Sequence, residues 1–382
     1  MKALVYHGPG KRSYDEKPMP SIQDPTDAIV RITKTTICGT DLHIMKGDVP
    51  SVTDGRILGH EGVGIVEKIG ENVSNFRTGD HVLISCISSC GRCANCKRGM
   101  YSHCQNGGGW ILGNLIDGTQ AEYVRIPFAD NSLYSIPPNA EEDALVLLSD
   151  ILPTGYECGV LNGKIKPGDT VAVIGAGPIG LAVLLTAQFY SPAIIIMVDN
   201  DNNRLEVAKK FGATIVLGND LNNAAEKIMA LTNNRGVDVA VEAIGVPSSF
   251  DICQKIVTAG GHIANVGVHG KPVQLNLEKL WSQNITLTTG LVDTVTTPLL
   301  LNTALSGKLP LNHLVTHHFM LDQIMEAYDT FANAMQEQAL KVIITNGVMF
   351  NEVMRASDTF GNPIMEGESL KEQLITNDSP GG

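Results

Sequence analysis

Four cysteines crowd into "CGRCANCKRGMYSHC": Cys90, Cys93, Cys96 and Cys104, spaced C-x₂-C-x₂-C-x₇-C. Four thiolates on one short loop complete a tetrahedral zinc site with no open position, so the chemistry this loop offers is structural. Bacterial iron–sulfur clusters share the opening C-x₂-C-x₂-C but continue x₃-C-P. Here Gln105 follows a gap of seven, which favours zinc. A second set of donors is scattered. Cys38 in "CGTDLH" and His60 in "GHEG" are good zinc ligands, and Glu61 adds a carboxylate beside His60. One more anionic ligand is needed, and Asp150 in "VLLSDILPTGY" is placed to supply it. It interrupts an apolar run, where a carboxylate without a partner is costly. Cys86, Cys158 and Cys253 stand apart from the lobe and read as buried small hydrophobes.

A third group of residues points to a nucleotide. "VAVIGAGPIG" sets Gly175, Gly177 and Gly180 in G-x-G-x-x-G spacing, with Pro178 and Ile179 between the last two. The first glycine permits a tight turn, the second lets backbone approach a pyrophosphate, and the third allows close helix packing. Asp199 follows Gly180 by nineteen residues. An acid there accepts from both hydroxyls of an adenine ribose and repels a 2′-phosphate, so NAD is expected over NADP. Arg204 has two readings, neutralising a phosphate or sitting solvated on the next helix.

These side chains need elements to hold them. Short β-type runs between glycine and proline turns fill the first 130 residues ("KALVY", "AIVRITKTT", "GVGIVEKIG", "DHVLIS", "AEYVRIP") and predict a barrel-like all-β module. From about residue 151 buried strands alternate with helices: "DTVAVIG", "AIIIMVD", "TIVLG", "VDVAVEAIG", "GHIANVGV" and "ITLTTGLV". Six apolar strands with crossover helices predict a doubly wound parallel sheet, hence an α/β chain of two domains. Two helices and the strand "LKVIIT" follow, and residues 346–382 read as an appendage of unknown role.

The net charge of −12, from 28 basic and 40 acidic residues, argues against a nucleic-acid or anionic-membrane partner. No run approaches the ~18 apolar residues of a membrane span. A cytoplasmic protein with a small-molecule ligand is expected.

In chain order, "CGTDLH", "GHEGVG", the four-cysteine lobe, "GAGPIG" with Asp199, and "LKVII" resemble the zinc-dependent alcohol dehydrogenases of the medium-chain dehydrogenase/reductase family, over roughly residues 1–345. The resemblance implies a GroES-like β-rich catalytic domain (1–151 and 293–345) around a Rossmann NAD-binding domain (152–292). It also implies two zinc ions per chain. The catalytic set would be Cys38, His60 and Asp150, with Glu61 a nearby carboxylate able to enter the shell. This departs from the Cys₂His set that alcohol dehydrogenase exemplifies and resembles the branch acting on secondary alcohols.

By the same resemblance, Thr40 takes the alcohol proton and His43 exchanges it with solvent, the other readings being a turn residue and a surface histidine. Val266, Val268, Leu291 and Val292 would flank the nicotinamide. Trp110 would line the alcohol pocket or pack in the core, and Lys341 would meet the pyrophosphate or be a solvated lysine. His317 and His318 are expected to be structural. The implied reaction is hydride transfer between a small secondary alcohol and NAD, giving a ketone or aldehyde, in a homo-oligomer expected to be a tetramer. A polyol or amino-alcohol dehydrogenase is the nearest alternative, and a non-catalytic zinc-stabilised NAD-binding regulator is the alternative of another class.

Overall fold

A computed structural model describes residues 1–218 and 223–347. The expected appendage therefore lies outside the described residues apart from Asn346 and Gly347. Asn346 is tied to the sheet, its N–H donating to the Thr33 carbonyl and its side chain to the Ile32 carbonyl, each at 3.0 Å.

Residues from both ends of the described chain build the β-rich half. Strands β1 (Lys2–Tyr6) and β2 (Arg12–Glu16) form an antiparallel hairpin. Then come β3 (Ala28–Thr36), β4 (Arg56–Ile57), β5 (Gly62–Ile69), β6 (His81–Ile84), β7 (Tyr123–Ile126) and β8 (Leu133–Ser135). A seven-stranded sheet runs β15-β16-β3-β5-β6-β8, with β7 also on β3, where β15 is Val315–Met320 and β16 is Lys341–Thr345. The alternation of "AIVRITKTT" places Ala28, Val30 and Ile32 in one apolar core with Val66, Val82, Ile84 and Val124. This is the barrel-like module the sequence predicts, completed by the late strand β16 pairing antiparallel with β3.

The intervening segment holds β9 (Thr170–Ile174), β10 (Ile194–Val198), β11 (Ile215–Leu217), β12 (Val237–Glu242), β13 (Val257–Asn265) and β14 (Thr286–Thr289). All pairs are parallel and the order is β11-β10-β9-β12-β13-β14. Crossover helices such as Pro178–Ala187 and Pro247–Ile256 follow β9 and β12. In such a sheet the order reverses beside β9, and ligands bind at the carboxyl ends of the strands there. One expectation is corrected: β14 is not a buried apolar strand. Its sequence is Thr-Leu-Thr-Thr and it is largely exposed along the sheet edge, so only β13 supports it.

The segment joining the two sheets is helical and apolar. Glu142–Leu148 and Ile151–Leu161 form a pair bent by 43°. Residues Gly155–Leu161 adopt a π-helix, and the Cβ that Gly155 or Gly159 lacks would fall 2.7 Å from Ala182 Cβ or 2.5 Å from Val183 Cγ2. That close crossing buries the pair against the helix Pro178–Ala187, which explains its apolar composition. Among the described residues no single helix is long and apolar enough to cross a membrane.

Candidate metal and cofactor site

Asp150 sits at the bend in that helical pair. Its backbone (φ −141°, ψ −66°) leaves the helix, and the residue before it is pinned by two other segments. The Ser149 hydroxyl accepts from Gly62 N–H at 3.1 Å, and the Ser149 carbonyl accepts from Cys86 N–H at 3.1 Å. The bend therefore holds the carboxylate against the starts of β5 and of the loop after β6. Its two oxygens face different neighbours. Oδ2 lies 3.7 Å from Cys38 Sγ and 3.2 Å from His60 Nε2, while Oδ1 accepts from Thr154 Oγ1 at 2.6 Å and lies 3.7 Å from Cys86 Sγ.

Cys38, His60, Glu61 and Asp150 each offer a ligand atom, all within 4.8 Å of one another. Zinc at its usual ligand distances of about 2.0–2.3 Å gives a tetrahedron with edges of roughly 3.3–3.8 Å, so the spacings around Asp150 fit the ion. Charge fits too. Hydrogen bonding to His60, against the opposing effect of burial, brings the Asp150 carboxyl down to about 2. Burial works against a charged His60, but Asp150 and Cys38 outweigh it and hold the imidazole well above its ordinary value. Burial pushes the Cys38 thiol up. Without a cation His60 and Cys38 retain protons that a divalent ion would displace, whereas Asp150 is already ionised.

Cys38 lies at the N-terminus of the helix Gly39–Lys46, and its N–H donates to the buried Asp41 carboxylate at 2.9 Å. Thr40 and His43 are three positions apart on that helix, hence on one face. Thr40 Oγ1 is 3.7 Å from Cys38 Sγ, and His43 is half-buried with Nδ1 2.9 Å from Asp48 Oδ2. Trp110 packs edge-on to His60, ring centroids 6.1 Å apart, and its buried indole N–H has no hydrogen-bond partner among the described residues.

Lys341 requires a correction. It is neither a solvated lysine nor a cation left free for a pyrophosphate. Lys341 and Glu61 are both 1% exposed, and Lys341 Nζ donates to both Glu61 oxygens at 2.8 Å and to the Ile37 carbonyl at 3.2 Å. Burial opposes the ammonium, yet Glu61 holds it above an ordinary lysine. The expected carboxylate near the metal donors thus has its own counter-ion.

The glycine turn behaves as its spacing predicts. Gly175 has φ +112°, where a side chain is strained, and a Cβ on Gly180 would fall 1.9 Å from the Gly175 carbonyl oxygen. A Cβ on Gly177 would meet only Arg204 Nη1, at 3.6 Å, which leaves backbone open for a ligand at the N-terminus of the helix Pro178–Ala187. Asp199 directly follows β10; its Oδ2 accepts from Ala176 N–H at 2.7 Å and its Oδ1 from Asp201 N–H at 2.8 Å. Arg204 pairs with Asp201 at 3.5 Å. A cleft of ≈ 580 Å³ is lined by Cys38 and Lys341 on one side and by Pro178, Ile179 and Arg204 on the other. A dinucleotide reaching from the glycine turn to the metal donors has that space available.

Val292 is buried with Cys86, Ile87 and Cys158, and Val266 and Trp110 pack against that cluster. Val268 and Leu291 are exposed. Cys86 was expected to be only a buried hydrophobe. It is buried, but it also touches Asp150, a contact that no local pattern signals.

Cys90, Cys93, Cys96 and Cys104 form a second cluster within 4.8 Å, with Cys90 and Cys96 sulfurs 3.9 Å apart. N–H groups of Cys96 and Gln105 bring Cys93 down to about 6, whereas burial and neighbouring sulfurs push Cys96 up to about 12. The donor set fits a closed four-thiolate zinc site. His317 and His318 join neither cluster; His318 pairs with Asp143 at 2.9 Å.

Two family models match the chain: the alcohol dehydrogenase GroES-like domain over residues 24–138 and the zinc-binding dehydrogenase over residues 178–299. An alcohol dehydrogenase of Cupriavidus necator is 38% identical over 365 residues, covering 90% of this chain and 98% of its own. Among solved structures, the apo form of zinc-dependent alcohol dehydrogenase 2 from Streptococcus pneumonia is similar with a TM-score of 0.87 and 57% identity, over 91% of this chain and 99% of that one. The alcohol dehydrogenase TADH from Thermus sp. ATN1 has a TM-score of 0.83 and 34% identity, over 91% and 100%.

Proposed function

The chain belongs to the zinc-dependent medium-chain alcohol dehydrogenases, oxidoreductases that use zinc and a nicotinamide cofactor, and from that premise we propose that it transfers hydride between a small secondary alcohol and NAD. The observation that carries this reading is the single cleft shared by Cys38 and the glycine-turn residues Pro178 and Ile179. It brings a metal donor and a dinucleotide cradle to one space.

Cys38, His60 and Asp150 would hold the catalytic zinc, and Cys90, Cys93, Cys96 and Cys104 a structural one. When bound, zinc polarises an alcohol oxygen and the nicotinamide accepts hydride. The chain supplies the rest. Thr40 Oγ1, beside Cys38, is the group that accepts the alcohol proton as its own hydroxyl proton is passed on toward His43, which, oriented by Asp48 and half-open to solvent, releases a proton to water. Trp110 narrows the space beside His60, which supports a small substrate. Asp199 supports NAD: a ribose with free hydroxyls can donate to its carboxylate, and a 2′-phosphate meets like charge.

A homo-oligomer, taken as a tetramer by resemblance, is supported by the exposed edge strand β14 near Leu277 and Trp281, the latter 71% exposed. Domain limits of 1–151 with 293–345 and 152–292 are supported by the parallel sheet β9–β14, whose strands pair with none of the others.

The test combines metal analysis with a substrate panel. The wild type should carry two zinc ions per chain and oxidise 2-propanol and 2-butanol faster than ethanol, sorbitol or threonine. Asp150→Ala should retain the cysteine-bound ion, lose the other and lose turnover. Full zinc and a normal rate in Asp150→Ala would overturn the assignment.

A further inference from the structure

The segment Gly290–Thr296, leaving the carboxyl end of β14, has more polar anchors than so short a loop needs for its own folding. The Glu157 carboxylate on the π-helix accepts from Asp293 and Thr294 N–H at 2.8 and 3.0 Å, and from Thr296 N–H and Oγ1 at 2.9 Å each. Thr294 is buried with φ +60°, a left-handed conformation that strains a β-branched residue. It is held there by Ser85, whose hydroxyl lies 2.9 Å from its own, and by Tyr134, which donates to its carbonyl at 3.2 Å. The third anchor comes from the four-cysteine lobe. Ser102, between Cys96 and Cys104, donates its N–H and its hydroxyl to Asp293 Oδ1 at 2.8 and 2.6 Å.

This loop carries Leu291 and Val292, and Val292 packs with Cys86 and Cys158 beside the metal donors. Strain in such a segment persists only where its surroundings over-determine it, and here they do. We propose that the four-cysteine lobe acts on the cofactor: through Ser102 it fixes Asp293 and so presets the loop bearing Leu291 and Val292 to receive the nicotinamide. Ser102 and Asp293 are then positioning residues for the proposed hydride transfer. The inference rests on the reading that Leu291 and Val292 flank the nicotinamide.

The experiment measures NADH dissociation constants by fluorescence titration of the zinc-loaded full chain, with metal content and melting temperature alongside. Asp293→Ala should weaken NADH about 10-fold and raise the KM for NAD more than it lowers kcat, and Ser102→Ala, which keeps its N–H, should weaken it about 3-fold. The double variant should bind no worse than Asp293→Ala alone, because both changes break one contact. Asp293→Asn keeps the acceptor and should recover most of the affinity. If Asp293→Ala is insoluble, Ser102→Ala and Asp293→Asn decide the matter. Leu291→Ala separates the two layers. If it leaves NADH binding unchanged, the nicotinamide reading falls and takes the inference with it. If it weakens NADH while Ser102→Ala and Asp293→Ala bind as wild type, or lose only melting temperature, the lobe's role alone is overturned. Additive losses in the double variant overturn it as well.

Discussion

Replacing Lys341 with Met keeps most of the buried stem and removes the charge. Nζ sits 2.8 Å from each Glu61 oxygen, and at an effective dielectric of about 20 that separation corresponds to roughly 6 kcal/mol of attraction. Part of this offsets desolvation, and deleting one member of a buried pair costs about 3–5 kcal/mol because the other is stranded. The metal-free Lys341→Met protein should lose that much stability. Zinc changes the outcome, because Glu61 belongs to the same 4.8 Å cluster as Cys38, His60 and Asp150. A divalent ion there supplies the missing positive charge, and the loss should shrink to about 1–2 kcal/mol. By linkage, the difference of about 2–3 kcal/mol appears as zinc bound roughly 30- to 150-fold more tightly than by wild type. Urea midpoints of the metal-free and zinc-loaded forms, with chelator competition for the affinity, measure both quantities. Equal losses in the two forms, or weaker zinc binding by the variant, would refute the reasoning. Adding Glu61→Gln should recover most of the metal-free loss.

Asp199→Gly removes the carboxylate just after β10 and should shift the ratio of kcat/KM for NAD over NADP down by about 10- to 100-fold, and an unchanged ratio would count against its ribose role. Zinc uptake should release protons. His60 and Cys38 are both raised in the metal-free chain and so hold protons near pH 7, whereas Asp150, at about 2, has none to give. Calorimetry in buffers of different ionisation enthalpy should find about two protons released at this site near pH 7, and affinity climbing as pH rises. Release of none would contradict the arrangement. In the metal-free protein the depressed Asp150 contributes stability that is complete above its ordinary 3.8 and is lost as pH falls through about 2, so acid melts of wild type and Asp150→Asn should converge at the low end of that window.

Much of this site was legible because its signals are local. Three glycines and an acid nineteen residues on identify a cradle whose steric logic the structure repeats, down to the carbonyl that Gly180 approaches. A carboxylate interrupting "VLLSDILPTGY" signals a partner, and the partners are Cys38 and His60. The lobe's four cysteines are contiguous enough to read directly. What stayed hidden depends on packing between distant segments. Lys341 looks like any lysine opening a strand, and its partner Glu61 lies 280 positions away. Cys86 satisfies every expectation of a core residue and still touches Asp150. The Thr-rich β14 passed for a buried strand because the parallel alternation around it is so regular; which strand ends at an edge is a property of the whole sheet.

The pairing of β16 with β3 gives the molecule a timetable. Glu61 leaves the ribosome 280 residues before Lys341, which at about 5–20 residues per second is roughly 15–55 s. Throughout that interval β3, which leads into Cys38, lacks its neighbour strand β16, and Glu61 has no counter-ion. The parallel sheet is completed within it. The cysteine loop, its four donors only fifteen residues from end to end, has every donor of its cluster as soon as it emerges. Until Lys341 arrives, Glu61 stands uncompensated beside Cys38, His60 and Asp150, so the late strand that completes the sheet also delivers the charge that completes the cluster.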